Sequence, residues 1–358
     1  MANHLYVAAG GGGDALAALL LHHTLGRAAS QAFVLSYSWD RYIVDPKPGP
    51  RSVDDYLGLQ PLTGRCWRVP ADARLRWSAA PTLPVLAGLT DAVIALLDPH
   101  HGAAGLRAAV SELAEVTDPD TVTLVDVGGD VIATGDEAGL MSPLGDSLAL
   151  AALTKLKTPV SVIVAGPGLD GELPSELVRR RCERLCTDSW GIGRNAVTAH
   201  RDVLRVHPSE ATSLLAAAAV GVHGQVEVRD HGRLVAVTDE STAAYVIPHD
   251  RVLDTNRLAQ QLAATTSLAD AEQVVIDARG QCELTYERAK AATRAGSPTP
   301  TPAEVTERLD RYRDAARRHG ASHGTLRRLC EAVGFAAYQP EVLRRLVDAH
   351  PYLPLFAI

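Results

Sequence analysis

The sequence predicts an α/β protein: a Rossmann-like, doubly wound, mostly parallel sheet with a small C-terminal helical subdomain. Three observations predict it. Short unbroken apolar runs of strand length alternate with helix-favouring segments, the pattern of parallel strands buried on both faces. Three of these runs end in glycine-rich turns with an acid close behind: Gly10–Gly13 with Asp14, Gly128-Gly129 with Asp130, and Gly166/Gly168 with Asp170. A Pro/Thr-rich stretch, Gly296–Pro302, then precedes an Arg-rich amphipathic tail. The domains therefore read as 1–293 for the α/β unit, 294–302 for the linker and 303–358 for the tail.

The elements follow in order. His4–Ala9 is apolar and runs into Gly10–Gly13, after which Ala15–Leu21 is unbroken and helix-favouring: strand, tight turn, helix. Ala32–Tyr37, Ala92–Leu97, Thr121–Val127 and Val160–Val164 are the further strands, the third of them closed by Gly128-Gly129-Asp130. Helices are expected at Leu106–Val116, from Ser142-Pro143 to Lys157, and from Pro174 to Cys186. At the second, Ser is a good N-cap and Pro suits the first helical position. Ser209–Val220 reads as a buried helix. Gln225–Arg229 and Arg233–Val237 flank Asp230-His231-Gly232, a hairpin placed at an edge of the sheet. In the tail, Thr301-Pro302-Ala303-Glu304 is a capping box, and the helix behind it puts Val305, Leu309, Tyr312 and Ala316 on one face. That stripe has to be buried in the tail's own core, on the α/β domain, or on a second subunit of a homo-oligomer. The tail is expected to be an accessory module outside the crevice, with two or three helices and an apolar end, Tyr352–Phe356, docked on a surface.

Composition narrows the function. The chain is 46% hydrophobic and 22% charged, an ordinary globular balance. A net charge of −7 and only 4% aromatics argue against a nucleic-acid partner. The tail's nine arginines are interleaved with seven acids, as on a salt-bridged surface. No apolar run approaches the ~18 residues of a membrane span, and no signal peptide is visible. Five scattered cysteines suit a reducing cytoplasm. There is no G-x-S-x-G, GK[ST] or H-E-x-x-H motif, so serine-triad, P-loop and zincin chemistry lose support.

In a doubly wound sheet, ligands bind beyond the carboxyl ends of the strands, and the three glycine-rich turns are expected to converge there. Gly10, Gly11, Gly12 and Gly13 would offer backbone N–H groups to an anion at a helix N-terminus, with Asp14 beside them. The densest polar stretch is DVGGDVIATGDEAGLMSPLGD, residues 126–146. Its acids Asp126, Asp130, Asp136, Glu137 and Asp146 are the catalytic candidates, because clustered carboxylates call for a metal, a basic substrate group or a shared proton. Asp126 and Asp130 are the metal candidates, and oxygen-only ligands favour Mg²⁺ or Mn²⁺. Gly128, Gly129 and Ser142 join the ligand-binding set, as do Asp40 and Arg41 of WDRYIVDPKPGP, where Arg41 either clamps an anion or pairs with Asp45. Gly10, Gly12, Ala15 and Asp40 also fit a dinucleotide template. However, the third template position is alanine, and Asp40 lies 25 residues past it against an expected ~20. NAD(P) therefore ranks behind a divalent cation. His100-His101, Arg194 and the pair Cys182/Cys186 are weaker candidates, and His22-His23 suits a helix C-terminus.

AGGGGD (9–14), WDRYIVDPKPGP (39–50) and VDVGGDVIATGDEAGLMSPLGD (125–146) resemble domain-of-unknown-function family 1152 over roughly residues 4–290. The resemblance implies a Rossmann-like fold and no particular activity. The Gly-Gly-acid arrangement of the third segment is also similar to the D-glutamate cyclase family. The expected function is a cytoplasmic enzyme on a small polar or phosphorylated metabolite, acting as a hydrolase, lyase or group transferase. A nicotinamide-dependent oxidoreductase and a non-catalytic metabolite sensor are the alternatives.

Overall fold

A computed structural model of the chain describes residues 3–229, 231–294 and 300–358. The middle of the expected linker and Asp230 of the hairpin turn lie outside the described residues. The protein is mixed α/β, built on a nine-stranded, mostly parallel sheet. Its centre is five parallel strands: β1 (Asn3–Ala8), β2 (Gln31–Ser36), β3 (Val93–Leu96), β4 (Val122–Val127) and β5 (Val160–Ala165). They lie side by side in the order 3-2-1-4-5. Antiparallel strands extend both edges. Ala243–Pro248 and then Asp188–Gly191 follow β5, while Trp67–Arg68 and Gln60–Pro61 follow β3. These edge strands were not anticipated; the two beside β3 are two residues long and leave no periodicity to read.

The unbroken apolar character of the central strands has a direct cause: both faces are covered. Leu5 and Val7 of β1 point into one core with Leu124 and Val162, roofed by the helices Gly102–Thr117 and Pro143–Ala152. Tyr6 and Ala8 point the other way, with Val125 and Ile163, under α1 (Gly12–Thr24) and the Glu210–Val220 helix. A strand alternates its side chains between faces, so burying both demands apolar residues at every position. The helix opened by Pro143 stops at Ala152, short of Lys157, and Lys155 then turns the chain with a φ of +65°.

The tail departs from expectation. Its capping box is present, with the Thr301 and Glu304 side chains bonding reciprocally to each other's backbone, and three helices follow at Pro302–His319, Leu326–Val333 and Pro340–Leu346. It also supplies two strands, His323–Thr325 and Leu355–Ala357. These form a second sheet with the 224–237 hairpin, in the order Arg233–Val237, Gly224–Val228, His323–Thr325, Leu355–Ala357. The hairpin therefore does not edge the central sheet. It buries Val226, Val228, Val235 and Val237 beneath the α1 side of the core, and the tail covers its open edge. Val305, Leu309, Tyr312 and Ala316 pack with Leu326, Leu329, Phe356 and Ile43. Among the described residues, no helix is long and apolar enough to cross a membrane.

Candidate functional site

The chain leaves β1 toward β2 and β3, then returns to build β4 and β5 on the other side. The loops after β1 and β4 thus part, and a crevice of about 190 Å³ opens at the strand carboxyl ends. The glycine turn of residues 10–13, Asp14, Asp126, Asp130, Ser142, Asp146 and Asp170 all line it, as do Asp40 and Arg41.

Two groups of three carboxylates form its floor, and in each the oxygens lie within 4.8 Å of one another. The first joins Asp14, Asp126 and Asp146, all buried. Asp14 sits in the first turn of α1 and accepts from the N–H groups of Gly10 (2.7 Å) and Val127 (3.2 Å). Asp126 ends β4 and accepts from Val131 N–H at 3.0 Å. Asp146 lies in the first turn of the Pro143–Ala152 helix. Among the described residues, no arginine, lysine or histidine pairs with these three. Burial, followed by repulsion from Asp126, pushes the Asp14 carboxyl well above the usual carboxylate range. Burial pushes Asp126 to about 7 and, with repulsion from Asp126 and Asp14, raises Asp146 strongly.

The second group joins Asp130, Asp170 and Glu172. Glu172 is fully partnered. It accepts from Ser142 N–H at 3.0 Å and from the Ser142 hydroxyl, and pairs with Arg229 at 2.6 Å. Although burial opposes ionisation, Arg229 leads the interactions that hold its carboxyl down at about 2. Asp130 is the opposite case: it is 5% exposed and its Oδ1 has no hydrogen-bond partner. Burial first, then the charges of Asp170 and Glu172, raise it well above the ordinary range. Asp126 and Asp130, paired in the sequence reading, thus belong to different groups.

Other expected residues stand elsewhere. Asp136 is exposed and accepts from the Thr134 hydroxyl. Glu137 accepts from the N–H groups of Thr134 (2.9 Å) and Gly135 (3.1 Å) and pairs with Arg181. Neither lines the crevice. Donors of the loop between Ala133 and Leu140 engage both, and Arg181 from the Ser175–Leu185 helix completes the set around Glu137. Gly128 and Gly129 do not line it either; their φ values of +121° and +108° let the Asp170 loop and Val178 pack where a Cβ would collide at 2.4 and 2.3 Å. Asp40 caps the Thr82–Gly88 helix, accepting from Thr82 N–H (3.0 Å) and its hydroxyl (2.7 Å). Arg41 lies 4.0 Å from Glu287 rather than on Asp45, which pairs with Arg51. His22 bonds the Tyr6 hydroxyl, His100 bonds Asp98 and Arg194 holds the Val220 carbonyl.

The sequence reading missed several crevice residues, five of which bear on its chemistry. Glu172 and Arg229 complete the second group. Glu283 accepts from Leu144 N–H at 2.6 Å, and burial raises its carboxyl to about 7. His207 is 3% exposed; burial lowers its pKa to about 4. Arg327 comes from the tail and pairs with Glu210 at 3.1 Å, beside a Thr325 hydroxyl that donates to the same carboxylate. The tail therefore contributes to the crevice wall, contrary to the expected separation. Only Glu172, four residues past the third glycine-rich turn and two past Asp170, carried a local signal.

No curated protein and no solved structure matches the chain. The family described as "Protein of unknown function (DUF1152)" matches residues 5–291, which contain every crevice residue named above except Arg327. The sequence resemblance and the match agree in extent, and the chain belongs to the DUF1152 family.

Proposed function

We propose that the protein is a divalent-cation-dependent enzyme of Rossmann-like fold that acts on a small polar or phosphorylated metabolite by hydrolysis, elimination or group transfer. The observation that carries this reading is the buried group Asp14, Asp126 and Asp146, three carboxylates with no cationic side chain among the described residues to offset them. Three buried like charges are costly unless a cation or protons neutralise them. Their oxygen-only chemistry fits Mg²⁺ or Mn²⁺. Such an ion, when bound, supplies Lewis-acid polarisation and charge neutralisation for an anionic ligand. Asp130, buried with a free oxygen, is the proton-transfer candidate, and Glu172 with Arg229 positions it. Five free thiols, four of them buried, support the cytoplasmic setting.

Two observations rank the nicotinamide reading lower. Both oxygens of Asp40 are already engaged by Thr82 as a helix cap. The crevice of about 190 Å³ is also small beside the ~300–1,000 Å³ usual for ligand pockets. A non-catalytic sensor would share the cation site, and only turnover separates it from an enzyme.

The test is calorimetric titration of the full chain with MgCl₂ and MnCl₂, alongside melting curves. Cation uptake with a raised melting temperature is expected, and Asp126→Asn and Asp146→Asn should lose both. A wild-type protein that takes up neither ion overturns the reading. Turnover of phosphorylated metabolites with Mg²⁺ then distinguishes enzyme from sensor.

A further inference from the structure

One wall of the crevice has the opposite chemistry to its floor. The helix Gly12–Thr24 begins there with no side chain capping it; the Asp14 N–H turns back to the Gly11 carbonyl at 3.1 Å, and the N–H groups of Gly12 and Gly13 have no partner within the helix. Against this turn lies His207. Its Nδ1 accepts from Ser209 N–H at 3.1 Å, so the ring proton of the neutral imidazole sits on Nε2. That Nε2 is buried and has no hydrogen-bond partner among the described residues. It faces the glycine turn closely: a Cβ on Gly12 would stand 3.3 Å from Nε2 and 2.4 Å from the Thr82 hydroxyl. A second buried donor without a partner, Nε of Arg327, belongs to another residue lining the same crevice.

We propose that this wall is an oxyanion subsite for a phosphoryl group of the ligand, held by the first-turn N–H groups of Gly11–Gly13 and by His207 Nε2–H. Several converging donors suit a group with three acceptor oxygens, and the helix N-terminus favours its charge. The subsite adjoins the acidic floor: a Cβ on Gly10 would lie 2.9 Å from Asp14 and 3.8 Å from Asp146. A phosphoryl group there meets carboxylate repulsion unless a cation lies between them. Phosphate and Mg²⁺ should therefore bind cooperatively, and this coupling rests on the cation reading above. The donor wall itself does not.

The test titrates the full chain with inorganic phosphate, with and without Mg²⁺, and with acetate as the comparison. Phosphate is expected to bind at least tenfold tighter with Mg²⁺ present. His207→Phe is expected to weaken phosphate at least tenfold while leaving Mg²⁺ uptake near wild type; its melting temperature falls, because the Ser209 N–H loses its acceptor. In the wild-type protein, ¹⁵N NMR gives a readout that needs no variant: the His207 Nε2–H resonance should shift on phosphate addition. Mg²⁺ uptake with no phosphate binding, or phosphate binding without a shift of that resonance, overturns the subsite and leaves the cation reading standing. His207-dependent phosphate binding without Mg²⁺ uptake does the reverse. Acetate binding as tight as phosphate overturns the phosphoryl assignment.

Discussion

Asp130 and Glu137 stand seven residues apart in one polar stretch, yet the fold brings them to opposite ends of carboxylate chemistry. Glu137 accepts two backbone N–H groups and the Arg181 guanidinium, and its carboxyl is held at about 2. Asp130 is buried among like charges with one oxygen unpartnered, and its carboxyl is pushed far upward. The same contrast runs through the crevice floor: Asp14, Asp126 and Asp146 have no cationic partner among the described residues, while Glu172 is held by Ser142 and Arg229. The comparison teaches that acid density along a chain does not mark a site. What marks it is unsatisfied burial: a carboxylate saturated by its own loop is scaffolding, while one desolvated without a partner awaits a ligand.

The largest expected effect sharpens that contrast directly. Asp126→Asn or Asp146→Asn should weaken cation binding by about a hundredfold, roughly 2.8 kcal/mol, whereas Asp136→Asn should leave it within a factor of two. Calorimetric titration of the three variants checks this, and equal losses in all three would erase the distinction. Next, Arg181→Ala should unfold more easily by about 2 kcal/mol, since it strips a mostly buried carboxylate of its partner. Its cation affinity should not change, as denaturant melts with and without Mg²⁺ would show.

The pH dependence carries opposite signs in the two regions. Asp126 is raised in the folded state, so its stabilising contribution is full below 3.8 and is lost as pH rises through about 7. Glu137 is lowered, so its contribution is present above 4.5 and is lost as pH falls through about 2. The cation-free protein should thus lose melting temperature from pH 5 to pH 8. Asp126→Asn should flatten that slope by about 2.6 kcal/mol across the window; an unchanged slope would mean that Asp126 stays ionised throughout. The smallest effect is expected at Asp40→Ala: about 1 kcal/mol of stability from the lost cap of the Thr82–Gly88 helix, with cation affinity unaltered. A large loss of affinity there would move Asp40 from scaffold to site.

Much of the site was legible because it hangs on strand ends. Asp126 closes an apolar run, Asp14 follows a glycine turn, and Asp170 follows another. Parallel strands order their carboxyl ends on one side, so these three had to share an edge. His207, Arg229, Glu283 and Arg327 gave no such signal. Each is an ordinary polar residue next to a helix end or in a strand connection, and its place depends on which element crosses over the crevice. The tail divides in the same way. Its capping box and apolar stripe are local and were readable. The pairing of His323–Thr325 with Val226 and Glu227 joins segments almost a hundred residues apart through a three-residue strand, too short to show a period.

By itself the sequence determined the alternation of strand and helix, the five central parallel strands and the glycine turns behind which acids would gather. These follow from burial on two faces and from backbone conformations open mainly to glycine, both of which act within a few residues. Only the tertiary structure decided which carboxylates would find donors and which would be buried without them. It also decided that the tail would close the hairpin sheet and lend Arg327 to the crevice. Desolvation and hydrogen-bond satisfaction are properties of everything packed around a group, so no stretch of chain holds them alone.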